Sequence, residues 1–228
     1  MKGSDGTGWA RRRLLLRAGA ALGAGSLPLA VQKVLASGER PPGLYRVEGE
    51  VRINGAPAAL GQRVRAGDIV ETGPRGQAVF VVGRDAFLVR PESRVETAGR
   101  ELYIDVLRLA TGKIVSVFGN GARRIETPTA TIGIRGTGIY IEAETVRTYV
   151  CTCYGVAELQ ARERPELRET VTTTRHDQPR YIYADRTMPV GEMIGKAPVI
   201  NHTDEELVML EALVGRTPPF VGSRGPRY

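Results

Sequence analysis

The stretch AVFVVGRDAFLV, residues 78–89, decides the local structure of this chain. It holds two runs of apolar residues, rich in valine and phenylalanine, on either side of Gly83-Arg84-Asp85. Short runs of β-branched and aromatic residues favour β-strands, and a glycine followed by polar residues favours a turn. The stretch therefore predicts two strands joined by a tight turn.

The same pattern extends outward from about Gly43 to Leu159. Upstream, apolar residues and glycine alternate along 47–53, and Asn54-Gly55 then supplies a tight-turn signal. Downstream, further strands are expected around 102–109, 114–118, 139–143 and 148–153. Turn signals recur roughly every 8–12 residues, which is typical of all-β folds. The pattern predicts a β-sandwich, roll or β-solenoid over residues 43–159. The lack of strand–helix alternation argues against a doubly wound nucleotide-binding fold.

Residues 160–228 form a C-terminal extension of different character. Residues 161–202 mix charges with short apolar stretches and indicate less regular structure. After them, Thr203 and Glu206 have the spacing of a capping box, and apolar residues then recur at helical spacing. Gly215 is placed to end the helix. The extension is therefore predicted to contain one short amphipathic helix, 204–214, that packs on the β domain.

Residues 1–36 have the composition of an export signal. They hold six basic residues and one acidic residue, so they carry +5 of the net charge of +7. Arg11-Arg12, one spacer and then large apolar residues resemble a twin-arginine translocation signal. The apolar run that follows, from Ala18 to Val31, is shorter than the roughly 20 residues of a membrane-spanning helix. We expect export to the periplasm, cleavage near Ala36 and no transmembrane span.

The remaining charge argues against nucleic acid as a partner. Residues 37–228 carry a net charge of only +2. They contain no basic stripe with interleaved aromatic residues, which nucleic-acid-binding surfaces usually require. We therefore expect no nucleic-acid partner. The oligomeric state is left open by the sequence.

Several short motifs follow one another in a fixed order over about 110 residues. They are Val47-x-Gly49-x-Val51, Asn54-Gly55, Val64-x-x-Gly67-Asp68-x-Val70-x-Thr72-Gly73, Ser93-x-Val95, Leu109-x-x-Gly112, Thr127-Pro128-Thr129-Ala130, Ile134-Arg135-Gly136-Thr137-x-Ile139 and Gly155-x-Ala157. In this order and spacing the motifs resemble the FecR domain family. In physical terms they are mainly turn and strand residues. We interpret Arg135-Gly136-Thr137 as a connection between two strands, with Arg135 tying neighbouring carbonyls.

The resemblance implies a role in the bacterial envelope. The best-known FecR members are inner-membrane regulators whose cytoplasmic segment handles a sigma factor. Their periplasmic part receives a signal from an outer-membrane receptor. Because this chain starts with an export signal, we expect an exported, free-standing member without the segment that handles the sigma factor.

Two cysteines, Cys151 and Cys153, are the most reactive residues of the predicted β region. Alternate positions of a strand place both sulfurs on one face. In an oxidising compartment they could form a disulfide, which extended i, i+2 geometry would strain and make labile. Free buried thiols are a second alternative.

A metal site is the third alternative for these cysteines. The chain holds two histidines, His176 and His202, and two thiolates with two imidazoles suit Zn or Cu. The spacing matches no recognised finger signature, and His202-Thr203-Asp204 is also explained by the start of a helix. We therefore expect no metal or other cofactor, and keep these four residues as candidate ligands.

Enzyme motifs are absent from the sequence. It has no Gly-x-Ser-x-Gly elbow, no His-Glu-x-x-His and no phosphate-binding loop. The sequence favours a non-catalytic periplasmic recognition or signalling module with an unidentified envelope protein as partner. A peptidoglycan- or glycan-associated structural module and a redox or metal-handling protein using Cys151 and Cys153 are the alternatives.

Overall fold

The computed structural model describes residues 41–222, which fold into β-strands and a single α-helix. The all-β prediction is confirmed. The strands are β1 (Gly43–Glu48), β2 (Val51–Ile53), β3 (Ala56–Pro57), β4 (Ile69–Thr72), β5 (Gln77–Val82), β6 (Asp85–Val89), β7 (Arg94–Arg100), β8 (Tyr103–Val117), β9 (Ala122–Glu126), β10 (Ala130–Ala143), β11 (Arg147–Ala161), β12 (Arg168–Thr173), β13 (Arg180–Tyr183) and β14 (Ile194–Lys196). A 3-10 turn spans Val190–Glu192, and the helix α1 spans Asp204–Leu213.

All the strands belong to one sheet, which is antiparallel except for the β8–β9 pair. The long strands β8, β10 and β11 have different neighbours along their length. The first half of β8 pairs with β7 and β9, and its second half pairs with β6 and β10. Similarly, β11 pairs with β13 near its start and with β12 near its end.

One face of this sheet encloses the inner core, a cluster of buried apolar side chains. It takes alternate residues of each strand, for example Phe80, Phe87 and Val150, because successive side chains of a strand point to opposite faces. Phe80 stacks on Phe87 with ring centroids 4.8 Å apart, and Phe118 meets Phe87 edge-on at 5.5 Å. The strands therefore supply a core of their own.

The opposite face carries a second buried cluster, which we call the outer layer. Its members from the sheet and from the C-terminal region are Tyr45, Val79, Val81, Ala86, Leu88, Val115, Val117, Tyr140, Tyr149, Cys151, Cys153, Tyr154, Leu207, Met209, Leu210, Leu213 and Phe220. The strands of AVFVVGRDAFLV are apolar without alternation because both of their faces are covered.

The C-terminal helix was predicted closely. Thr203 caps α1, and Thr203 and Glu206 form the expected capping box. The helix ends at Leu213 rather than at residue 214, and Gly215 follows with φ +74°. Leu207, Leu210 and Leu213 are buried, so the helix packs on the sheet as expected.

Residues 161–202 contain more regular structure than the sequence indicates. The three short strands β12, β13 and β14 continue the sheet beyond Leu159 as far as Lys196. Only Val171 and Thr173 of β12 are buried, and the other residues of that strand are polar and face solvent or are half-buried. Strands so short and so polar leave almost no hydrophobic periodicity to read.

The interpretation of Arg135-Gly136-Thr137 as a connection between two strands is wrong. All three residues lie inside β10, where the register with β11 shifts between Arg135 and Gly138. Gly136 has φ +55°, which allows this irregularity without breaking the strand. The carbonyl tie comes from Thr137, whose hydroxyl donates to Val156 O at 3.0 Å, while Arg135 is exposed.

The export signal at 1–36, including Arg11, Arg12 and the cleavage position near Ala36, lies outside the described residues. Among residues 41–222, no helix combines the length and apolar character that crossing a bilayer requires.

Candidate metal centre

Two sulfurs come from the middle of β11. Cys151 and Cys153 are both fully buried on the face that carries the outer layer, while Val150 between Tyr149 and Cys151 points into the inner core. The strand alternation expected from the sequence therefore places both sulfurs on one face. The structure shows free thiols, with no bond between the two sulfurs. The labile disulfide stays a prediction for oxidised protein.

His176 reaches the sulfurs from the turn after β12. Its backbone N–H donates to Cys153 O at 3.0 Å, which fixes the turn against β11. Its φ of +47° lies in the left-handed region, which is uncommon for residues other than glycine. The imidazole is buried, and its Nδ1 lies 3.6 Å from Cys151 Sγ.

His202 approaches from the other side, immediately before the cap residue of α1. Its ring is buried and stacks on Tyr140 with centroids 4.6 Å apart. Its Nε2 lies 2.8 Å from His176 Nδ1. Three separate segments of the chain thus bring the four candidate residues together.

The four donor atoms lie close enough to share one ion. Cys151 Sγ, Cys153 Sγ, and one nitrogen each of His176 and His202 all lie within 4.8 Å of one another. A tetrahedral zinc site, with bonds of about 2.0–2.1 Å to nitrogen and about 2.3 Å to sulfur, puts its donors roughly 3.3–3.8 Å apart. The sulfur–nitrogen distance of 3.6 Å agrees, the two imidazole nitrogens would have to separate by about 0.5 Å, and donors that are up to 4.8 Å apart would have to approach by about 1 Å.

The outer nitrogens of both imidazoles have acceptors. His176 Nε2–H donates to Asp204 Oδ1 at 3.1 Å, and His202 Nδ1–H donates to Ile200 O at 2.6 Å. Asp204 is itself held by an ion pair with Arg175. With both rings neutral, these bonds place the lone pairs of His176 Nδ1 and His202 Nε2 on the side of the two sulfurs, where a metal ion would bind. Without an ion, a proton on one of these nitrogens can be shared with the other nitrogen or with Cys151 Sγ.

The two thiols differ in acidity in the absence of a metal. Hydrogen bonding from the Cys153 thiol, followed by that of the two imidazoles, lowers the pKa of Cys151 to about 4 despite its burial. Burial raises the pKa of Cys153 above its ordinary value, and the neighbouring Cys151 adds to this effect. One negative sulfur thus opposes ionisation of the other. A coordinating cation removes this conflict because it deprotonates a bound thiol outright.

Sequence reasoning found the four ligand candidates but not their supporting residues. It placed an acid beside each histidine, Asp177 next to His176 and Asp204 next to His202. In the structure Asp204 instead bonds His176, which is 28 residues away. A metal-binding imidazole commonly donates its other N–H to a carboxylate, which fixes the orientation of the ring, but no sequence spacing predicts this contact. The β10 residues Arg135, Gly136 and Thr137 are not members of the cluster.

The site is therefore a buried set of two cysteines and two histidines on an all-β protein. No protein-family model and no curated protein matches the chain. Among solved structures, it is similar to two proteins of Parabacteroides distasonis provisionally assigned as anti-sigma factors.

The structural similarity to both proteins is low. For the protein solved at 1.65 Å the TM-score is 0.46 at 11% identity, over 57% of this chain and 58% of that one. For the protein solved at 2.50 Å the TM-score is 0.35 at 13% identity, over 64% of this chain and 59% of that one. The chain thus spans less than two thirds of either structure. These values fit a distant relation only and say nothing of the activity of this chain.

Proposed function

We propose that this protein binds one zinc ion through Cys151, Cys153, His176 and His202, as a structural, non-catalytic centre. The observation that carries the proposal is the convergence of four buried ligand atoms. Hydrogen bonds to Asp204 and to Ile200 O orient the two imidazoles among them. Buried polar groups are otherwise expected to satisfy one another. Here the contacts among the four inward-facing atoms depend on a shared proton, and one bound ion would satisfy all four together.

Charge favours a divalent ion. Two thiolates and two neutral imidazoles carry a charge of −2, which Zn²⁺ cancels and Cu⁺ only halves. The donors are buried, and an uncompensated charge in a buried site is costly. The adjacent Asp204 carboxylate is already paired with Arg175, so it leaves the balance at the metal unchanged.

The donor set favours a structural role over a catalytic one. Catalytic zinc usually has three protein ligands and keeps one position for water or substrate, whereas structural zinc has four. All four positions of this site are supplied by the chain, and all four residues are buried. We therefore propose that the zinc ion has no catalytic role, as the sequence also predicts.

The proposed export route fits metal loading before secretion. The twin-arginine pathway carries folded proteins, so β11 would form while both thiols are still reduced. Zinc bound at that stage would protect Cys151 and Cys153 from oxidation in the periplasm. Supporting this step are Arg11-Arg12 and the apolar run after them.

A recognition or signalling role in the envelope is a second proposal. It is supported by the ordered FecR-like motifs between Val47 and Ala157. Cross-linking in periplasm should capture an envelope protein, and its absence would count against this role. Co-sedimentation with purified cell wall would instead favour the structural module associated with peptidoglycan.

Metal analysis of purified full-length chain tests the zinc site. The wild type loaded with zinc under reducing conditions should hold one zinc ion per chain. The double variant Cys151→Ser/Cys153→Ser should bind zinc at least about tenfold more weakly. Replacement of zinc by Co²⁺ should give the visible bands of a tetrahedral ion and a thiolate-to-cobalt transition that the double variant lacks.

Thr152→Val is the matched control. Thr152 lies between the two cysteines and is buried, and its hydroxyl has no hydrogen-bond partner among the described residues. This variant should retain full zinc binding. Zinc-free wild type, or unchanged zinc in the double variant, would contradict the proposal. Preferential retention of Cu⁺ over Zn²⁺ would overturn the assignment of the ion.

A further inference from the structure

We infer that the metal ion clamps the C-terminal region onto the sheet, so that its occupancy controls whether the outer face of the sheet is covered. This inference rests on the proposed zinc site. The C-terminal cover is defined here as residues 197–222, which include His202, α1 and Phe220.

The ligands are distributed across the joint between sheet and cover. Cys151 and Cys153 belong to β11 in the sheet, His176 belongs to the turn that follows β12, and His202 belongs to the cover. A single ion bonded to all four would join the cover directly to the sheet. Loss of the ion would remove every one of these bonds at once.

The cover buries an apolar surface of the sheet. Leu207, Leu210 and Leu213 of α1 share the outer layer with Val81 and Leu88. Without the cover, these sheet residues and their apolar neighbours would form one exposed patch. Apolar patches of that kind on a soluble domain mark interaction surfaces. The position of the cover therefore determines whether this apolar surface is buried or exposed.

The other attachments of the cover are polar. Tyr154 O–H donates to the buried Glu211 and Arg175 pairs with the buried Asp204, and three further contacts lie around the rim. Arg90 pairs with Glu206 at 2.7 Å, Tyr149 O–H donates to Pro198 O at 2.9 Å, and Asn201 Nδ2 donates to Glu142 at 2.7 Å. The Arg90–Glu206 pair is partly exposed, and exposed pairs contribute little. A ten-residue helix is also only marginally stable by itself. A metal bonded at His202 would therefore add to a set of polar attachments of which only some are buried.

The backbone beside the ligands is strained. His176 has φ +47°, and Asn201, the residue before His202, has φ +56°. Both are left-handed conformations that cost free energy in residues other than glycine. Metal–ligand bonds would offset this cost. Without the metal, movement of His202 and of the attached cover would relieve the strain at Asn201.

Hydrogen exchange of the full-length chain tests the clamp. Two samples are compared, one loaded with zinc and one treated with a chelator under reducing conditions, and the metal content of each is measured. In the metal-free sample the amides of α1 should exchange at least about tenfold faster. The amides of β5 and β6, which are anchored in the inner core, should change by less than about twofold. Binding of a hydrophobic dye should rise in parallel.

Arg90→Ala provides a matched variant, because it loosens the rim without touching a ligand. It should keep one zinc ion and retain protection of α1 when loaded, and lose more protection than wild type when the metal is removed.

The outcomes separate the two proposals. Zinc-free loaded samples would overturn the zinc site and the clamp together. One zinc per chain with equal exchange of α1 in both samples would overturn the clamp and leave the zinc site intact. Faster exchange of β5 and β6 to the same extent as α1 would also overturn the clamp, because the metal would then hold the whole fold.

Discussion

The inner core and the outer layer cover opposite faces of the same strands, yet they are built differently. The inner core is a cluster of buried apolar residues from the strands and their connections, in which Phe87 contacts both Phe80 and Phe118. The outer layer combines apolar residues with two thiols, and two imidazoles lie against it. It also joins the sheet to α1 and Phe220 in the C-terminal region.

This difference separates the part of the molecule that defines the fold from the part that carries its chemistry. Burial of apolar surface stabilises the inner core without any ligand. The outer layer depends on interactions that can be gained or lost, namely the proposed metal bonds and the buried polar pairs. Tyr154 donates to Glu211, which also pairs with Arg216 at 2.5 Å. Substitutions in the inner core should therefore lower the stability of the whole fold, whereas substitutions in the outer layer should mainly affect zinc binding and the docking of α1.

The largest expected effect is on the inner core. Phe87→Ala removes a fully buried ring that contacts two other rings, so the free energy of unfolding should fall by about 3–5 kcal/mol. The loss should be the same with zinc and with chelator. Urea denaturation followed by circular dichroism measures it.

The exposed Val146 gives a control for this experiment. Val146→Ala should change the free energy of unfolding by less than about 0.5 kcal/mol. If zinc restored most of the stability lost in Phe87→Ala, the two layers would not be separable as described.

The next effect concerns the apolar contacts of α1. Leu210→Ala empties a fully buried position of the outer layer and should destabilise the docked helix by about 2–5 kcal/mol. Exchange of the α1 amides should accelerate before that of β5. Val208→Ala, at an exposed position of the same helix, should leave exchange nearly unchanged. Simultaneous loss of protection in α1 and β5 would show that the layers unfold together.

A smaller effect is expected at the residue that orients His176. Asp204→Asn removes the charge that pairs with Arg175 and polarises the imidazole, so zinc affinity should fall by about 10–100-fold. Competition with a chromophoric chelator measures this affinity. Glu205→Gln removes a charge from the same helical turn at an exposed position and should have no comparable effect. Equal losses of zinc affinity in the two variants would mean that Asp204 acts only through its charge at the start of α1 and not through its bond to His176.

The smallest effect is expected at the helix cap. Thr203→Ala removes the side chain that accepts from Glu206 N–H, which should destabilise α1 by about 1 kcal/mol. Thr203→Ser keeps the hydroxyl and should restore most of the stability. Exchange of the first amides of α1 in the zinc-loaded protein measures the difference. An unchanged rate in Thr203→Ala would mean that the metal at His202 already fixes the start of the helix.

Local patterns allowed much of the fold to be predicted from the sequence. Residues 78–89 indicated two strands and a turn, and Thr203 with Glu206 indicated the start of the helix. The strands β12–β14 were missed because they are only six, four and three residues long and because β12 is mostly polar. The internal bulge at Gly136 was read as a connection because a glycine within polar neighbours has the same local signature in both settings.

For the candidate site, the sequence allowed the four ligand residues to be predicted but not their arrangement in space. Alternation along β11 placed Cys151 and Cys153 on one face, and the two histidines were the remaining soft ligands. Their convergence depends on the pairing of β11 with β12 and on the docking of α1. The left-handed turn at His176 and the bond from His176 to Asp204 are equally tertiary features, which the sequence does not encode at any fixed spacing.

X-ray absorption spectroscopy at the zinc edge of the loaded full-length protein tests the central claim most directly. The four-ligand site predicts two sulfur neighbours at about 2.3 Å and two imidazole nitrogens at about 2.0–2.1 Å, with no open position. A shell of nitrogen and oxygen alone, or one with an exchangeable water in place of a sulfur or imidazole, would contradict it.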